Sequence, residues 1–124
     1  FYESCLLGWG STNLDNFDSE KLSQYRKSWN NVDTIRAMCD DYRAAIHFDW
    51  ALDTEDRNRC LQIPACVMWG KTGAMARHFD VPATWSKNFS NIEKKPMDGG
   101  HFFPDQHPQE TVSALVSFII NNIN

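Results

Sequence analysis

The clearest pattern of apolar and polar positions in the chain predicts a helix that begins near Val32. From there apolar side chains recur every three or four positions, and charged side chains occupy the opposite side. This spacing is typical of an amphipathic helix with one face in solvent. The apolar positions are Ile35, Cys39, Tyr42, Ile46 and Trp50.

The segments on either side of this helix give weaker signals. Asp18 or Ser19 is a suitable N-cap for a shorter helix that ends near Trp29. Residues 1–17 mix glycine and asparagine with aromatic residues, and we expect this segment to be irregular. The polar segment 51–59 predicts a loop or a short exposed turn.

The second half of the chain alternates strands with helices. Ala65–Trp69 is a continuous apolar run, which suits a buried parallel strand, and Ile92–Met97 predicts a weaker second strand. The helical stretches are Ala74–Phe79, Pro82–Phe89 and Gln109–Ile123. A right-handed crossover would put the two strands side by side in a parallel sheet. Because parallel sheets usually have more strands than two, we expect the end of a larger α/β unit.

Composition and charge exclude several classes of protein. The chain has 124 residues, of which 42% are hydrophobic and 23% charged, as in a globular domain or a piece of one. The net charge is −4 and no basic run is present, so we expect no nucleic-acid partner. No apolar stretch approaches the roughly 20 residues that a membrane crossing needs, so we expect no membrane partner. The chain starts at Phe1 without an initiator methionine, which indicates processing or truncation.

The cysteines and histidines do not form a pattern that indicates metal binding. Cysteines stand at positions 5, 39, 60 and 66, and no pair has CxxC spacing. Four reduced thiols are typical of a cytoplasmic protein, and that is the location we expect. We expect no metal and no cofactor. We also expect His47 and His78 to lie on the surface and His107 to make a local contact at a helix start.

One candidate for chemistry stands out, in the string Gly99-Gly100-His101. It follows the second predicted strand, and ligands of open α/β sheets bind at the carboxyl ends of the strands. Glycines permit an unusual backbone path, and imidazole is the side chain best suited to act as a general base near neutral pH. An ordinary loop histidine remains the alternative to a catalytic His101.

Longer strings carry a resemblance to a known family. Asp98–Thr111, which leads into the last helix, resembles the histidine loop of α/β-hydrolases. Cys39–Ala45 (CDDYRAA) and Phe79–Trp85 (FDVPATW) resemble haloacetate (fluoroacetate) dehalogenases in particular, as does the region of Trp9 with Tyr25-Arg26. The resemblance covers essentially the whole chain.

The resemblance implies a fold and a division of the chain. The fold class is α/β, as the C-terminal portion of an α/β-hydrolase fold. Residues 1–50 would form a helical cap segment, and residues 51–124 would form the last parallel strands and helices of the core.

The resemblance also implies a reaction on a small 2-haloacid. In that family an Asp nucleophile displaces the halide and forms an ester, which a histidine-activated water then hydrolyses. His101 matches that histidine. Trp9 and Tyr42 match cap residues whose N–H and O–H groups point at the departing halide, where hydrogen-bond donors stabilise the developing charge.

The nucleophile has no counterpart in this sequence. It should lie on a glycine-flanked strand-to-helix elbow, but Gly70–Gly73 (GKTG) contains no Asp, Ser or Cys. The arginines expected beside the nucleophile have only Arg43 as a weak substitute. We therefore expect the isolated chain to be inactive. Its expected partner is the N-terminal half of the hydrolase, in the same or a separate polypeptide. A homodimer is an alternative that the sequence leaves open.

Other interpretations are not excluded by the sequence. Without the resemblance, Tyr42 would be a core aromatic with a satisfied hydroxyl and Trp9 a buried aromatic. An epoxide hydrolase would share the Asp–His chemistry and use Tyr42 to protonate the epoxide oxygen. A non-catalytic interaction module with a degenerate site is the alternative from another class. Trp9 and the absence of a carboxylate directly after Gly70 favour the dehalogenase.

Overall fold

The computed structural model describes residues 1–10 and 13–122, and these divide into two compact units. One unit, called the sheet unit below, comprises Phe1–Phe17 and Cys60–Asn124; the other, called the helical unit, comprises Asp18–Arg59. The division into a cap segment over 1–50 and a core over 51–124 stays a prediction. The compact units have their own boundaries, after residues 17 and 59.

The described elements follow one another in a simple order along the chain. They are α1 (Tyr2–Gly8), a 3-10 turn (Leu14–Asn16), α2 (Ser19–Trp29), α3 (Val32–Ala44), a π-helical turn (Ala45–Asp49), α4 (Trp50–Glu55), β1 (Leu61–Gly70), α5 (Ala74–His78), α6 (Val81–Trp85), β2 (Phe89–Met97), α7 (Phe103–Gln106) and α8 (Pro108–Asn122).

The two strands form a parallel pair, as the sequence predicts. The register is regular from Ala65 opposite Ile92 to Gly70 opposite Met97, and it shifts between Leu61 and Pro64. Proline cannot donate to the ladder, which explains why an irregularity lies beside Pro64. Both strands begin three or four residues before the predicted bounds, because Leu61 already accepts and donates hydrogen bonds across the pair.

The expectation that residues 1–17 are irregular is wrong, since most of this segment is helical. Leu6 of α1 and Phe17 are buried, at 3% and 5% exposure. Burial of these two side chains is a tertiary effect, and such effects override weak local propensity.

Side-chain caps start two helices of the helical unit. The carboxylate of Asp18 accepts the backbone N–H groups of Glu20 and Lys21, which confirms it as the N-cap of α2. The amide oxygen of Asn31 accepts the N–H groups of Asp33 and Thr34 at the start of α3. Each such cap satisfies donors that the helix itself leaves unpaired.

The helix from Val32 continues further than its apolar pattern indicates. After the π-helical turn it proceeds as α4 to Glu55, so the prediction of a loop from residue 51 is wrong for this part. Once a helix is nucleated, each further residue adds one hydrogen bond, and polar residues extend it readily on an exposed surface. Thr54 adds a bond from its hydroxyl to the carbonyl of Trp50.

The helices of the sheet unit occur in the predicted order, and one of them is shorter than predicted. The predicted helix from Pro82 to Phe89 ends at Trp85, and Phe89 instead begins β2. α8 runs from Pro108 to Asn122, in agreement with the predicted C-terminal helix, whose last position, Ile123, lies outside the described residues.

The buried core is small, and most of it lies in the sheet unit. Among the described residues the buried hydrophobic side chains are Leu6, Phe17, Leu22, Val67 and Met97. Many large apolar side chains are exposed instead, including Ile63 of β1 and Val112 and Ile120 of α8. Exposed apolar surface on this scale is uncommon in monomeric proteins. Within the described ranges no helix has the length and apolar character needed to cross a membrane.

Candidate active site

His101 follows β2 at its carboxyl end, in a loop whose path depends on Gly99. The φ angle of Gly99 is +100°, a conformation that side-chain-bearing residues rarely adopt. A Cβ at this position would also collide with the amide oxygen of Gln106. The turn that presents His101 therefore requires a glycine at position 99.

The loop is joined to the turn that follows β1. The backbone N–H of Lys71 donates to the carbonyl of Met97 at 2.9 Å. Thr72 donates to the carbonyl of Gly99 twice, from its N–H at 3.1 Å and from its hydroxyl at 2.9 Å. The ammonium of Lys71 also lies 2.7 Å from Asp98, and this hydrogen bond lowers the pKa of the Asp98 carboxyl. Both strand ends are thus held together at the edge where the histidine emerges.

Glycines from three parts of the chain pack backbone against backbone beside His101. A Cβ on Gly10 would lie 2.8 Å from the Cα of Gly100 and 2.9 Å from the Cα of Gly73. A Cβ on Gly100 would collide with the carbonyl of Gly10, and one on Gly70 with the carbonyl of Gly100. No side chain fits between these segments, so their separation is set by main-chain contact.

Trp9 and His101 are in direct contact, although 92 positions separate them in the sequence. The backbone N–H of His101 donates to the carbonyl of Trp9 at 2.9 Å. Their ring centroids are 5.0 Å apart at an interplanar angle of 84°, an edge-to-face arrangement. Phe102 stacks on Trp9 at 6.2 Å and meets the imidazole edge-to-face at 5.0 Å. The imidazole therefore contacts two aromatic rings that stack on each other.

The imidazole remains accessible despite these contacts. His101 is exposed and borders a mainly apolar cavity of about 450 Å³. The wall of this cavity includes Met68, Trp69, Met75, Phe79, Trp85 and Phe103. A concave apolar site with one titratable group at its border is a typical ligand site of enzymes.

Tyr42 belongs to the helical unit, whereas Trp9 and His101 belong to the sheet unit. It lies on α3 and is 63% exposed within this chain. The π-helical turn begins three residues later, and such turns occur frequently at functional sites. A common cavity for all three side chains stays a prediction.

The remaining polar candidates have other contacts. The guanidinium of Arg43 pairs with Asp40 on the same helix. His47 and His78 are exposed, as predicted. His107 acts at the start of α8 through its carbonyl, which accepts both the N–H and the hydroxyl of Thr111.

The environment of Cys66 does not activate its thiol, and no metal-binding cluster lies in the part of the chain that the structure describes. Burial raises the pKa of the Cys66 thiol, and the charge of Glu93 raises it further. A thiol with a raised pKa is a poor nucleophile, because the thiolate is the reactive form. Residues 1–10 and 13–122 hold no group of three His, Cys, Asp or Glu side chains that could bind a metal ion.

Sequence inspection missed Gln106. Its amide oxygen accepts the backbone N–H of Gly100 at 2.7 Å. The sequence carries no local signal for this contact, since it depends on how α7 folds back on the loop. The glycine contacts were missed for the same reason, because they join segments remote in sequence.

Comparison with solved structures defines the class of fold. A crystal structure provisionally described as an α/β hydrolase from Nostoc sp PCC 7120 superposes with a TM-score of 0.86 at 32% identity, covering 94% of this chain and 40% of that one. A protein from Pseudomonas aeruginosa, provisionally described as an epoxide hydrolase and solved as a mutant, gives 0.81 at 25% identity, covering 97% and 40%. A protein from Salmonella enterica, provisionally described as an acyltransferase, gives 0.87 at 24% identity, which shows the fold alone. The chain therefore has the C-terminal portion of an α/β-hydrolase fold, as predicted.

Within this fold, sequence comparison gives a narrower likeness. The chain is 41% identical over 119 residues to a fluoroacetate dehalogenase from Burkholderia sp, which covers 96% of the chain and 39% of that protein. The predicted resemblance to the C-terminal part of a dehalogenase-like α/β-hydrolase is confirmed. The chain spans about two-fifths of the length of the relatives it matches. No family model matches the chain.

Proposed function

We propose that this chain supplies the histidine-bearing part of an enzyme that hydrolytically removes halide from small 2-haloacids. The observation that carries the proposal is the contact of His101 with Trp9 at the carboxyl end of β2. The likeness to a fluoroacetate dehalogenase supports the choice of reaction within the hydrolases.

The first step needs a carboxylate from outside this chain. An Asp of the remaining hydrolase segment attacks the carbon that bears the halogen, forming a C–O bond as the C–halogen bond breaks. The electron pair of the broken bond leaves with the halide. In the proposal the N–H of Trp9 and the O–H of Tyr42 donate to this halide, stabilising negative charge as it develops.

The second step is the task of His101. A water molecule attacks the carbonyl carbon of the enzyme ester while the imidazole accepts one of its protons. The acyl–oxygen bond then breaks, and the alkoxide that leaves takes the proton from the imidazolium to become the 2-hydroxyacid. The second proton of the attacking water is lost to solvent. The aspartate is regenerated as a free carboxylate. The backbone bond to Trp9 anchors His101, and the rings of Trp9 and Phe102 limit the orientations of its imidazole, which favours its use as a general base.

An epoxide hydrolase is the second candidate. The likeness to the Pseudomonas aeruginosa protein at a TM-score of 0.81 favours it. In that case Tyr42 would donate its proton to the epoxide oxygen, and His101 would keep its role in ester hydrolysis. Both reactions use the same covalent ester.

The test uses the complete enzyme, meaning this chain together with the segment that supplies the nucleophile. It is incubated separately with fluoroacetate, chloroacetate and a small epoxide, and halide, 2-hydroxyacid and diol are quantified. We expect halide and 2-hydroxyacid in equal amounts from the haloacids. A diol without halide release would transfer the proposal to epoxides. No turnover of any of the three would contradict both and favour a non-catalytic module.

A further inference from the structure

We propose that Gln106 is a positioning residue for His101, acting through the backbone of Gly100. The kinetic part of this inference rests on the proposed function of His101, whereas its structural part does not. The role concerns the orientation of the imidazole, because Gln106 holds the Gly99–Gly100 peptide and Gly100 directly precedes His101.

The contact satisfies a donor that the fold would otherwise leave unpaired. Gly100 is buried, and its N–H donates to the amide oxygen of Gln106 at 2.7 Å. A buried backbone N–H without an acceptor is costly, so this bond favours the observed path of the loop over alternatives.

The next peptide unit, which joins Gly100 to His101, is held by the helix that carries Gln106. The carbonyl of Gly100 accepts the backbone N–H of Phe103 at 3.2 Å, at the first residue of α7. Gln106 is the last residue of that four-residue helix. Gly100 thus donates to one end of α7 and accepts from the other, and His101 lies inside this closed arrangement.

Loss of the Gln106 contact should affect the loop more than the fold. The strand pairing, the Thr72–Gly99 bonds and the bond from His101 to Trp9 do not involve its side chain. The loop would stay attached, but the Gly99–Gly100 peptide could rotate and displace the residues that follow it. Displacing a catalytic group by about 1 Å can slow a reaction ~100-fold.

The two-step reaction separates this role from a general loss of structure. His101 acts only on the ester, so a displaced imidazole should slow ester hydrolysis and leave halide displacement unchanged. Gln106→Met keeps the side-chain volume but removes the acceptor, whereas Gln106→Glu retains an oxygen that accepts the Gly100 N–H. Gln109→Ala, at an exposed position in α8, is the matched control.

The experiment measures halide release in the first turnover and the mass of the complete enzyme during turnover. For Gln106→Met we expect one equivalent of halide at the normal rate, then a steady state slowed roughly 10- to 100-fold with accumulated ester. Gln106→Glu and Gln109→Ala should behave as the unmodified enzyme does. Equal slowing of both steps in Gln106→Met, unchanged turnover, or failure of Gln106→Glu to restore the second step would each overturn the inference.

Amide hydrogen exchange on the same variants gives a readout that does not depend on activity. We expect faster exchange at Gly100 and His101 in Gln106→Met, with the amides of β1 and β2 unchanged. If the enzyme releases no halide from any haloacid, the proposed function fails, and exchange alone then decides the role of Gln106. Unchanged exchange at Gly100 would overturn the role, and a local increase would support it.

Discussion

The contacts within the sheet unit differ in kind from the contacts within the helical unit. In the sheet unit, Lys71 pairs with Asp98, 27 positions away, and Gly10 packs against Gly100. Three ion pairs of the helical unit join residues three positions apart, as in Asp33–Arg36. Exposed pairs of this kind contribute little, typically 0–1 kcal/mol. The sheet unit can therefore fix a side chain through its tertiary contacts, whereas the helical unit presents its side chains from a locally stabilised helix.

The distribution of buried side chains supports the same contrast. Leu22 is the buried hydrophobic residue of the helical unit among those described, whereas the sheet unit buries four. Apolar side chains of the helical unit that are more than 60% exposed are Val32, Tyr42, Ile46, Phe48, Trp50 and Leu52. The contrast teaches that His101 has a defined position within this chain, while the proposed role of Tyr42 depends on contacts that its own unit does not supply.

The largest effect should come from His101→Asn in the complete enzyme. Removal of the general base should slow ester hydrolysis by about 10²–10⁴-fold while halide displacement continues. One equivalent of halide should appear, and intact-mass measurement should show the covalent ester. His78→Asn, at an exposed position of α5, should leave turnover unchanged. Normal turnover of His101→Asn would show that the histidine is not the general base.

Tyr42→Phe tests whether the helical unit supplies a hydrogen-bond donor to the departing halide. Loss of one donor to developing charge costs about 2–4 kcal/mol, so halide displacement should slow by roughly 30- to 1000-fold with fluoroacetate. Chloroacetate should be slowed less, because chloride is larger and accepts weaker hydrogen bonds. First-turnover halide release with the two substrates measures the difference. Equal slowing with both substrates would contradict a role at the halide.

Gly100→Ala tests the main-chain packing of the sheet unit. The added methyl would collide with the carbonyl of Gly10, and overpacking of this kind costs about 1–3 kcal/mol of unfolding free energy. Urea unfolding of the complete enzyme measures the loss. Gly8→Ala is the control, because a Cβ there meets nothing within 4 Å and alanine favours helix α1. Similar stability of both variants would show that the glycine contacts can relax.

Asn31→Ala should have the smallest effect, confined to the helical unit. Loss of this N-cap should cost about 1 kcal/mol in α3. Hydrogen exchange should become faster from Val32 to Ala44 and stay unchanged in β1 and β2. Asn30→Ala, which removes a side chain at the end of α2 that makes no cap to α3, should change little. Faster exchange throughout both units would contradict the expectation that the effect is confined to the helical unit.

Local patterns in the sequence account for the parts of the fold that were predicted. The carboxylate at Asp18 identifies a helix start, and the apolar run at Ala65–Trp69 identifies a strand of the parallel pair. Gly99 before the histidine indicates a special turn, which the φ angle of +100° bears out. Each of these signals depends on a few neighbouring residues.

The parts that were missed depend on residues far apart or on a helix that continues beyond its apolar pattern. α1 is stabilised by burial of Leu6, which its glycine-containing surroundings do not reveal. The residues of α4 after Leu52 are polar, so the apolar period ends before the helix does. The packing of Gly10 on Gly100 joins opposite ends of the chain, and no spacing rule predicts it.

The π-helical turn at Ala45–Asp49 is equivalent to the insertion of one residue into a regular helix. One residue advances an α-helix by about 100° around its axis. A single-residue deletion in this turn would therefore rotate Trp50 and Leu52 by about that angle relative to Tyr42, while the helix itself remained intact. The length of this turn thus sets the direction in which Trp50 and Leu52 point. The identity of the side chains within the turn does not change that direction.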